Sequence, residues 1–460
     1  MRAPIGPRRF FTVRYWTPVR VFLLTAFVFG VPLVFVSPPL TTPDEGRHMA
    51  RIYTISAGSL RLPADARVPE SLVELNQRMT RLWPPLRPRK QRRRETLRPF
   101  WDQPLNPAAQ VPVRNLATYG PLAYAPQALG FVLGRAVEAP PIGLVYLGRL
   151  ANLFTWALVV AAALAITPLR RWAFAALALL PMSLFLAASL SADAPTNALA
   201  LLFVAAVLRA GFGPHDGVRP GDVALLCVAA ALFGLTKGGY WPLAGVALLI
   251  PGARFRGARH RWFVMAAVAS AALVPSGLWF AEAQTTGYAE AGKGADWVGQ
   301  LEFIGSNPLR YAGIFFDSWL ETGRAYVTTF LGVLGRLDVV LPAWLYGSLA
   351  VALVTLPVLE ARDPEALVPA RRIGLLALFA LSTGAVFTMI YLAGNEVGAP
   401  LIRGVQGRYL WPLAPLLLLA VPARGRSPEE ERGEFLAAFV AGVSIASLVS
   451  LRALWVRYYF

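Results

Sequence analysis

Two adjacent carboxylates, Asp44 and Glu45, stand in the stretch PPLTTPDEGRHMARIYTISAGSL at residues 38–60, followed by His48 and Arg51. A carboxylate in such a place can accept the proton of an attacking hydroxyl. Lys237 in LTKGGYWP and Arg408 in VQGRYLWP are cations that can hold a departing phosphate. Such a leaving group needs no proton, but its charge must be stabilised as the bond breaks. Arg grips phosphate through two parallel hydrogen bonds, whereas Lys acts as a point charge. Asp193, in SLSADAPTN, is a further acidic candidate. Asp44 and Glu45 are therefore the candidate catalytic groups. His48, Arg51, Asp193, Lys237 and Arg408 are the candidate substrate-binding groups.

Local sequence separates the two carboxylates. Thr42-Pro43-Asp44-Glu45 has the form of a capping box with Pro at the first helical position. Glu45 is then expected to bond the Thr42 amide, which leaves Asp44, beside His48, as the better base. The helix that follows reads as amphipathic and lying on the outer membrane surface. Glu45, Met49, Ile52, Tyr53 and Ser56 fall on one face, Asp44, His48 and Arg51 on another.

Other chemistries lack their motifs. The chain has 3 His (His48, His215 and His260), and no zinc-ligand spacing, GxSxG, HExxH or phosphate-cradling loop is present. No metal site is indicated, and a cytosolic nucleotide-sugar donor is not suggested. The lone Cys227 lies within an apolar run and can form no intrachain disulfide.

These residues must be positioned by membrane-spanning helices. The 460-residue chain is 56% hydrophobic, with mean hydropathy +0.51, above the roughly 45–50% of soluble domains. Apolar runs occur at about 20–36, 144–167, 172–190, 195–211, 222–236, 239–251, 262–280, 339–358, 373–393, 408–421 and 434–452. The net charge of +18 is carried mainly by Arg residues that punctuate these runs, as expected of cytoplasmic loops that set topology rather than of nucleic-acid binding. The Arg-rich short loops TPLRRW, GFGPHDGVRPGD, GARFRGARHRW, EARDPEALVPARR and PARGRSPEEERG share one side only if residues 119–137 do not cross. The expected fold is thus an all-α polytopic membrane protein of about eleven transmembrane helices with a re-entrant or interfacial segment at 119–137.

The expected organisation is a cytoplasmic N-terminus and first span at 1–36, and an extracytoplasmic loop with the acidic motif and re-entrant segment at 37–143. A transmembrane core follows at 144–280, a second extracytoplasmic loop at 281–338, and C-terminal spans at 339–460. The basic tract RPRKQRRR at 87–94 sits in the first loop, since long loops translocate largely regardless of charge. It reads as a solvated stretch or a contact for anionic lipid or glycan.

Several motifs together resemble a bacterial family of multi-pass membrane proteins of unknown function. They are PDEGRHMARIYTISAGSL, YGPLAYAPQALGFVLGR, LGRLANL, LPMSLFLAASLSADAPTNALA, LTKGGYWPL, RLDVVLP and GVQGRYLWPLAPLLLL. That family in turn resembles the GT-C membrane glycosyltransferases. The resemblance implies surface-parallel helices in the first outer loop, with Asp44 and Glu45 at the position of the acidic motif. It also implies inverting sugar transfer from a polyprenyl-phosphate carrier to an envelope glycan or lipid acceptor, on the outer side of the bacterial cytoplasmic membrane. Arg336 stands where the family usually has an aromatic residue, which bears on the cavity wall and acceptor choice. Two other classes fit the outer cations: a lipid-linked sugar flippase, and a non-catalytic subunit of an envelope assembly complex. No paired half-sequences of the transporter kind are evident.

Overall fold

A computed structural model of the chain describes residues 16–63, 65–83, 93–113, 118–285, 296–360, 364, 367–425 and 431–460. Most of the basic tract at 87–94 lies outside the described residues. The elements are α1 (Pro18–Val36), α2 (Glu45–Ser56), β1 (Arg67–Pro69), α3 (Glu70–Leu82), α4 (Arg93–Trp101), β2 (Gln110–Pro112), α5 (Ala125–Ala136), α6 (Pro141–Ile166), α7 (Arg171–Ala178), α8 (Pro181–Ala187), α9 (Asp193–Phe212) and α10 (Pro220–Gly234). They continue with α11 (Ala258–Thr285), α12 (Trp297–Ser306), α13 (Pro308–Leu331), β3 (Val333–Leu334), β4 (Val339–Val340), α14 (Ala343–Leu359), α15 (Pro369–Gly394), α16 (Ala414–Ala420) and α17 (Glu431–Tyr459).

The molecule is mostly helical, and among the described residues six helices are long and apolar enough to cross a membrane. These are α1, α6, α9, α11, α15 and residues 433–459 of α17; α10 and α14 are shorter apolar helices. Several expected spans are not single helices. The 172–190 run breaks into α7 and α8 because Leu180 precedes Pro181 and is extended, at φ −57° and ψ 145°. The 239–251 run is a 3-10 segment, Trp241–Leu249, and 408–421 is a 3-10 segment, Gly407–Leu413, leading into α16. Each contains a proline near its start or end, Pro242 and Pro412, which removes a backbone donor. Within 119–137, the helix α5 has 12 residues. At 1.5 Å per residue it spans about 18 Å, short of the roughly 30 Å hydrocarbon core.

The core is organised around α9, almost wholly enclosed by protein. α1 turns Val21, Phe22, Thr25, Ala26, Leu33 and Val34 inward and leaves Leu24, Val28 and Phe35 exposed. An apolar outer surface of this kind suits hydrocarbon rather than water. Two features were not read from the sequence. The 281–338 segment contains the 24-residue α13, and β3 and β4 close an antiparallel hairpin just after it.

α2 departs from the expected surface helix. Both of its faces are buried: Glu45, Met49, Ile52 and Tyr53 on one, His48 and Arg51 on the other. Glu45, His48 and the Arg51 Nη groups find partners inside the protein. The capping box is half formed. Glu45 Oε2 accepts from the Thr42 amide at 3.2 Å, but the Thr42 hydroxyl has no partner among the described residues. The helix begins at Glu45, not Pro43, with Asp44 as its N-cap in the left-handed conformation.

Candidate functional site

Four breaks in regular structure meet at the amino end of α9: the loop 37–44, the turn 188–192, the turn 235–240 and the segment 403–409. Each is held by specific bonds. Asn152 Nδ2 donates to Ser189 O at 2.7 Å and Gln127 Nε2 to Ser191 O at 3.0 Å, which fixes the turn that presents Asp193. The Gly120 amide donates to Thr236 O at 3.0 Å, and a Cβ on Gly120 would lie 1.8 Å from Leu235 O. Only glycine lets Tyr119 approach Lys237 this closely. Gly407 has the same role beside Arg408, where a Cβ would fall 1.7 Å from Tyr326 O.

The charged groups form one cluster. Lys237 Nζ makes a short ion pair with Asp193 Oδ1. Arg408 Nη1 lies 3.3 Å from Asp193 Oδ2, and its Nη2 lies 3.3 Å from Asp44 Oδ2. A guanidinium thus stands between the two carboxylates. Arg408 is 2% exposed, and its Nε has no hydrogen-bond partner among the described residues. Lys237 Nζ also sits 4.2 Å over the Tyr119 ring and 5.4 Å over that of Tyr409, contacts that favour a cation. Tyr240 donates to Tyr409 O at 2.8 Å and fixes that wall.

The cluster backs a cavity of about 400 Å³. Asp44, Arg47, His48, Lys237, Tyr119 and Tyr409 form its polar end, and Trp279, Phe280, Val386, Met389 and Ile390 on α11 and α15 form much of its apolar wall. Asp44 is 45% exposed at the side chain, the one acid of the cluster open to an incoming group. Asp193 and Arg408 lie behind the wall, in contact with Lys237 and Asp44.

The other candidates separate by geometry. Glu45 and Arg149 form a bidentate pair, Nε to Oε1 at 2.8 Å and Nη2 to Oε2 at 2.7 Å, with both side chains 0% exposed. Leu190 N donates to Oε1 at 3.1 Å. Burial alone would raise the Glu45 carboxyl, but the Arg149 guanidinium and the amide donors outweigh it and hold it below the usual carboxylate range. Glu45 is thereby committed to the scaffold. Arg51, expected at the substrate, gives its Nη groups to the carbonyls of Ser59, Leu60 and Arg61 and to the Thr54 hydroxyl. His48 lines the cavity, and its Nδ1 pairs with the Tyr124 hydroxyl at 2.8 Å. Burial, then Lys237, pushes its imidazole down to about 4, so it is neutral at pH 7 and is not the cation for a phosphate.

The acidic loop is clamped twice. From α6, Arg149 donates to Val34 O, Ser37 O and Pro38 O as well as to Glu45. From the β3–β4 turn, Arg336 Nη2 donates to Leu40 O at 2.9 Å. Neighbouring Asp338 pairs with Arg457 of α17 at 2.7 Å. Leu40 and Asp44 both have positive φ, 60° and 59°, strain that persists only where the surroundings over-determine it. Arg336, expected at the cavity wall, is instead a tie on the loop that carries Asp44. Arg457→Ala is expected to speed hydrogen exchange across 38–44, far away in sequence. The charge swap Asp338→Arg with Arg457→Asp should restore protection, and unchanged exchange in Arg457→Ala would remove the second clamp.

Sequence reading missed Arg149, Tyr119, Tyr409 and Arg47. The first three stand in LGRLANL, YGPLAY and GRYLWP, where a charged or aromatic residue beside a close-packing glycine was the available signal.

A family model described as a predicted membrane protein, DUF2142, matches residues 27–417. No curated protein and no solved structure matches the chain.

Proposed function

The chain belongs to the DUF2142 family of predicted membrane proteins, and on that premise we propose that it is an inverting glycosyltransferase of the GT-C kind. It moves a sugar from a polyprenyl-phosphate carrier to an envelope glycan or lipid acceptor on the outer side of the bacterial cytoplasmic membrane, with its N-terminus inside. The observation that carries this reading is the Asp44–Arg408–Asp193–Lys237 cluster at a cavity with one polar end and one apolar wall. An amphiphile with a phosphate at the head of a hydrocarbon chain matches that division.

The step balances with the residues present. The acceptor oxygen attacks the anomeric carbon from the face opposite the phosphate, and its proton passes to the Asp44 carboxylate. The bond between the anomeric carbon and the phosphate oxygen breaks, and its electron pair leaves with the carrier phosphate. Lys237, which lines the cavity, holds the added charge, and Arg408 behind it fixes Asp193 and Asp44. Tyr119 and Tyr409 keep Lys237 charged and oriented. Glu45 and Arg149 position Asp44 without touching the reacting atoms.

The test is transfer from a polyprenyl-phosphate sugar by the purified full chain in lipid nanodiscs. Arg408→Lys keeps the charge but loses the planar fork that spans both carboxylates, so transfer is expected to fall about tenfold or more, at about 1.5–3 kcal/mol per lost charge-assisted bond. Wild-type rates in both Arg408→Ala and Lys237→Ala would remove these cations from the site.

A further inference from the structure

We propose that the mouth of the cavity is a subsite for a sugar acceptor bearing an acidic group, a carboxylate or a phosphate, and that Arg47 selects it. The proposal rests on the transferase reading and names the acceptor class for that same site.

The cations around the acidic motif are otherwise engaged. Lys237 faces Asp193, and Arg408 lies between Asp193 and Asp44. Arg149 is matched by Glu45, and Arg51 by backbone carbonyls. Arg47 differs from all of them. It lines the cavity and is exposed, and its side chain makes no hydrogen bond or ion pair among the described residues. It stands on the first turn of α2, its amide donating to Asp44 O at 2.9 Å. Its backbone is thereby fixed to that of the candidate base, while its side chain is open to solvent.

Exposure distinguishes this cation from Lys237 and Arg408. Lys237 is 7% exposed at the side chain, and Arg408, behind the wall, is 2% exposed. Arg47 and Asp44, by contrast, both reach solvent, Asp44 with 45% of its side chain exposed. A group that meets Asp44 from outside therefore meets Arg47 in the same approach. The same cavity is lined by Gln284, whose amide also makes no hydrogen bond among the described residues and offers both a donor and an acceptor to sugar hydroxyls. Trp279, fixed by its Nε1 donating to Thr118 O at 2.8 Å, gives a flat apolar face. An anion hook, an amide and an indole face around a base fit an acidic sugar better than a neutral one, because a bidentate guanidinium bond is gained only with the acid.

The test is ligand-observed NMR titration of the full chain in nanodiscs with three soluble probes: methyl glucuronide, glucose 6-phosphate and methyl glucoside. Wild type is expected to bind at least one acidic probe about tenfold more tightly than the neutral one, the effect of one charge-assisted hydrogen bond. The acid that gains identifies the group, carboxylate or phosphate. Arg47→Ala should abolish the preference while Arg47→Lys keeps part of it. Binding of a short-chain polyprenyl phosphate should be the same in all three proteins. The proposal is overturned if wild type shows no preference or binds no probe, or if the preference survives in Arg47→Ala. It is equally overturned if Arg47→Ala weakens the polyprenyl phosphate instead, which would place Arg47 at the donor. Because these readouts are binding alone, absence of sugar transfer would count against the enzyme reading and leave an acid-sugar preference standing.

Discussion

Asp44→Asn is expected to insert and fold normally, to bind the lipid donor, and to transfer sugar at least about a hundredfold more slowly than wild type. Removing a general base typically costs about 10²–10⁴ in rate. Asp44 is the half-exposed acid at the polar end of the cavity, 3.3 Å from the Arg408 guanidinium. The amide keeps the shape and one hydrogen-bond acceptor but cannot take the acceptor proton. Its neutral side chain also leaves Asp193 and Lys237 in place, so the donor phosphate keeps its cations. The result is read as a fall in turnover with donor affinity unchanged. A lipid-linked sugar flippase would yield no transfer product from either protein, and a scaffold subunit would tolerate the change. Transfer by Asp44→Asn at the wild-type rate would place the base elsewhere.

The second large effect is on folding. Sequence alone suggests that Glu45 is a helix-capping residue whose loss is mild. In the structure, Glu45 and Arg149 form a pair with both side chains fully buried, and Arg149 also holds one carbonyl of the last turn of α1 and two of the loop before α2. Glu45→Gln leaves the guanidinium buried without a counter-charge. Breaking such a pair from one side typically costs about 3–5 kcal/mol. Glu45→Gln should therefore lower thermal stability in detergent far more than Asp44→Asn, and Arg149→Ala should do so as strongly. The pair also sets a pH dependence. The folded carboxyl is held below its ordinary value, so the unfolded chain binds the proton more readily. This contribution to stability is present above the unfolded value and is lost as pH falls through the folded one. A melting temperature for Glu45→Gln within a degree of wild type would contradict the buried-pair account.

The same residues show how far the sequence reaches. Hydropathy located α1, α6, α9, α11, α15 and α17, the helices long and apolar enough to cross a membrane, because runs of span length need no tertiary context. It treated 172–190, 239–251 and 408–421 as equivalent to them, because a hydropathy window does not register the backbone donors lost at Pro181, Pro242 and Pro412. Asp193, Lys237 and Arg408 were legible as charges at the ends of apolar runs, and all three join Asp44 in one cluster. Their pairing was not legible, since it depends on contacts between residues as far apart as Asp44 and Arg408. The sequence places Arg51 at the substrate and makes Glu45 a catalytic candidate that also caps α2. A helical face identifies neighbours along the helix but not the distant carbonyls and guanidinium that claim these two side chains. The hairpin that carries Arg336 was invisible for the same reason. Two-residue strands have too short a pattern to read, and its purpose is set by Leu40 and Arg457 far along the chain.

The measurement that bears most directly on the account is mass spectrometry of polyprenyl-linked sugars and envelope glycans from a strain lacking this protein. The account predicts that a polyprenyl-phosphate sugar accumulates and that one substituent disappears from an envelope glycan. Wild type should restore both, and Asp44→Asn, present at equal level in the membrane, should restore neither. Unchanged lipid-linked sugars and unchanged glycans in the deletion strain, or full restoration by Asp44→Asn, would contradict it.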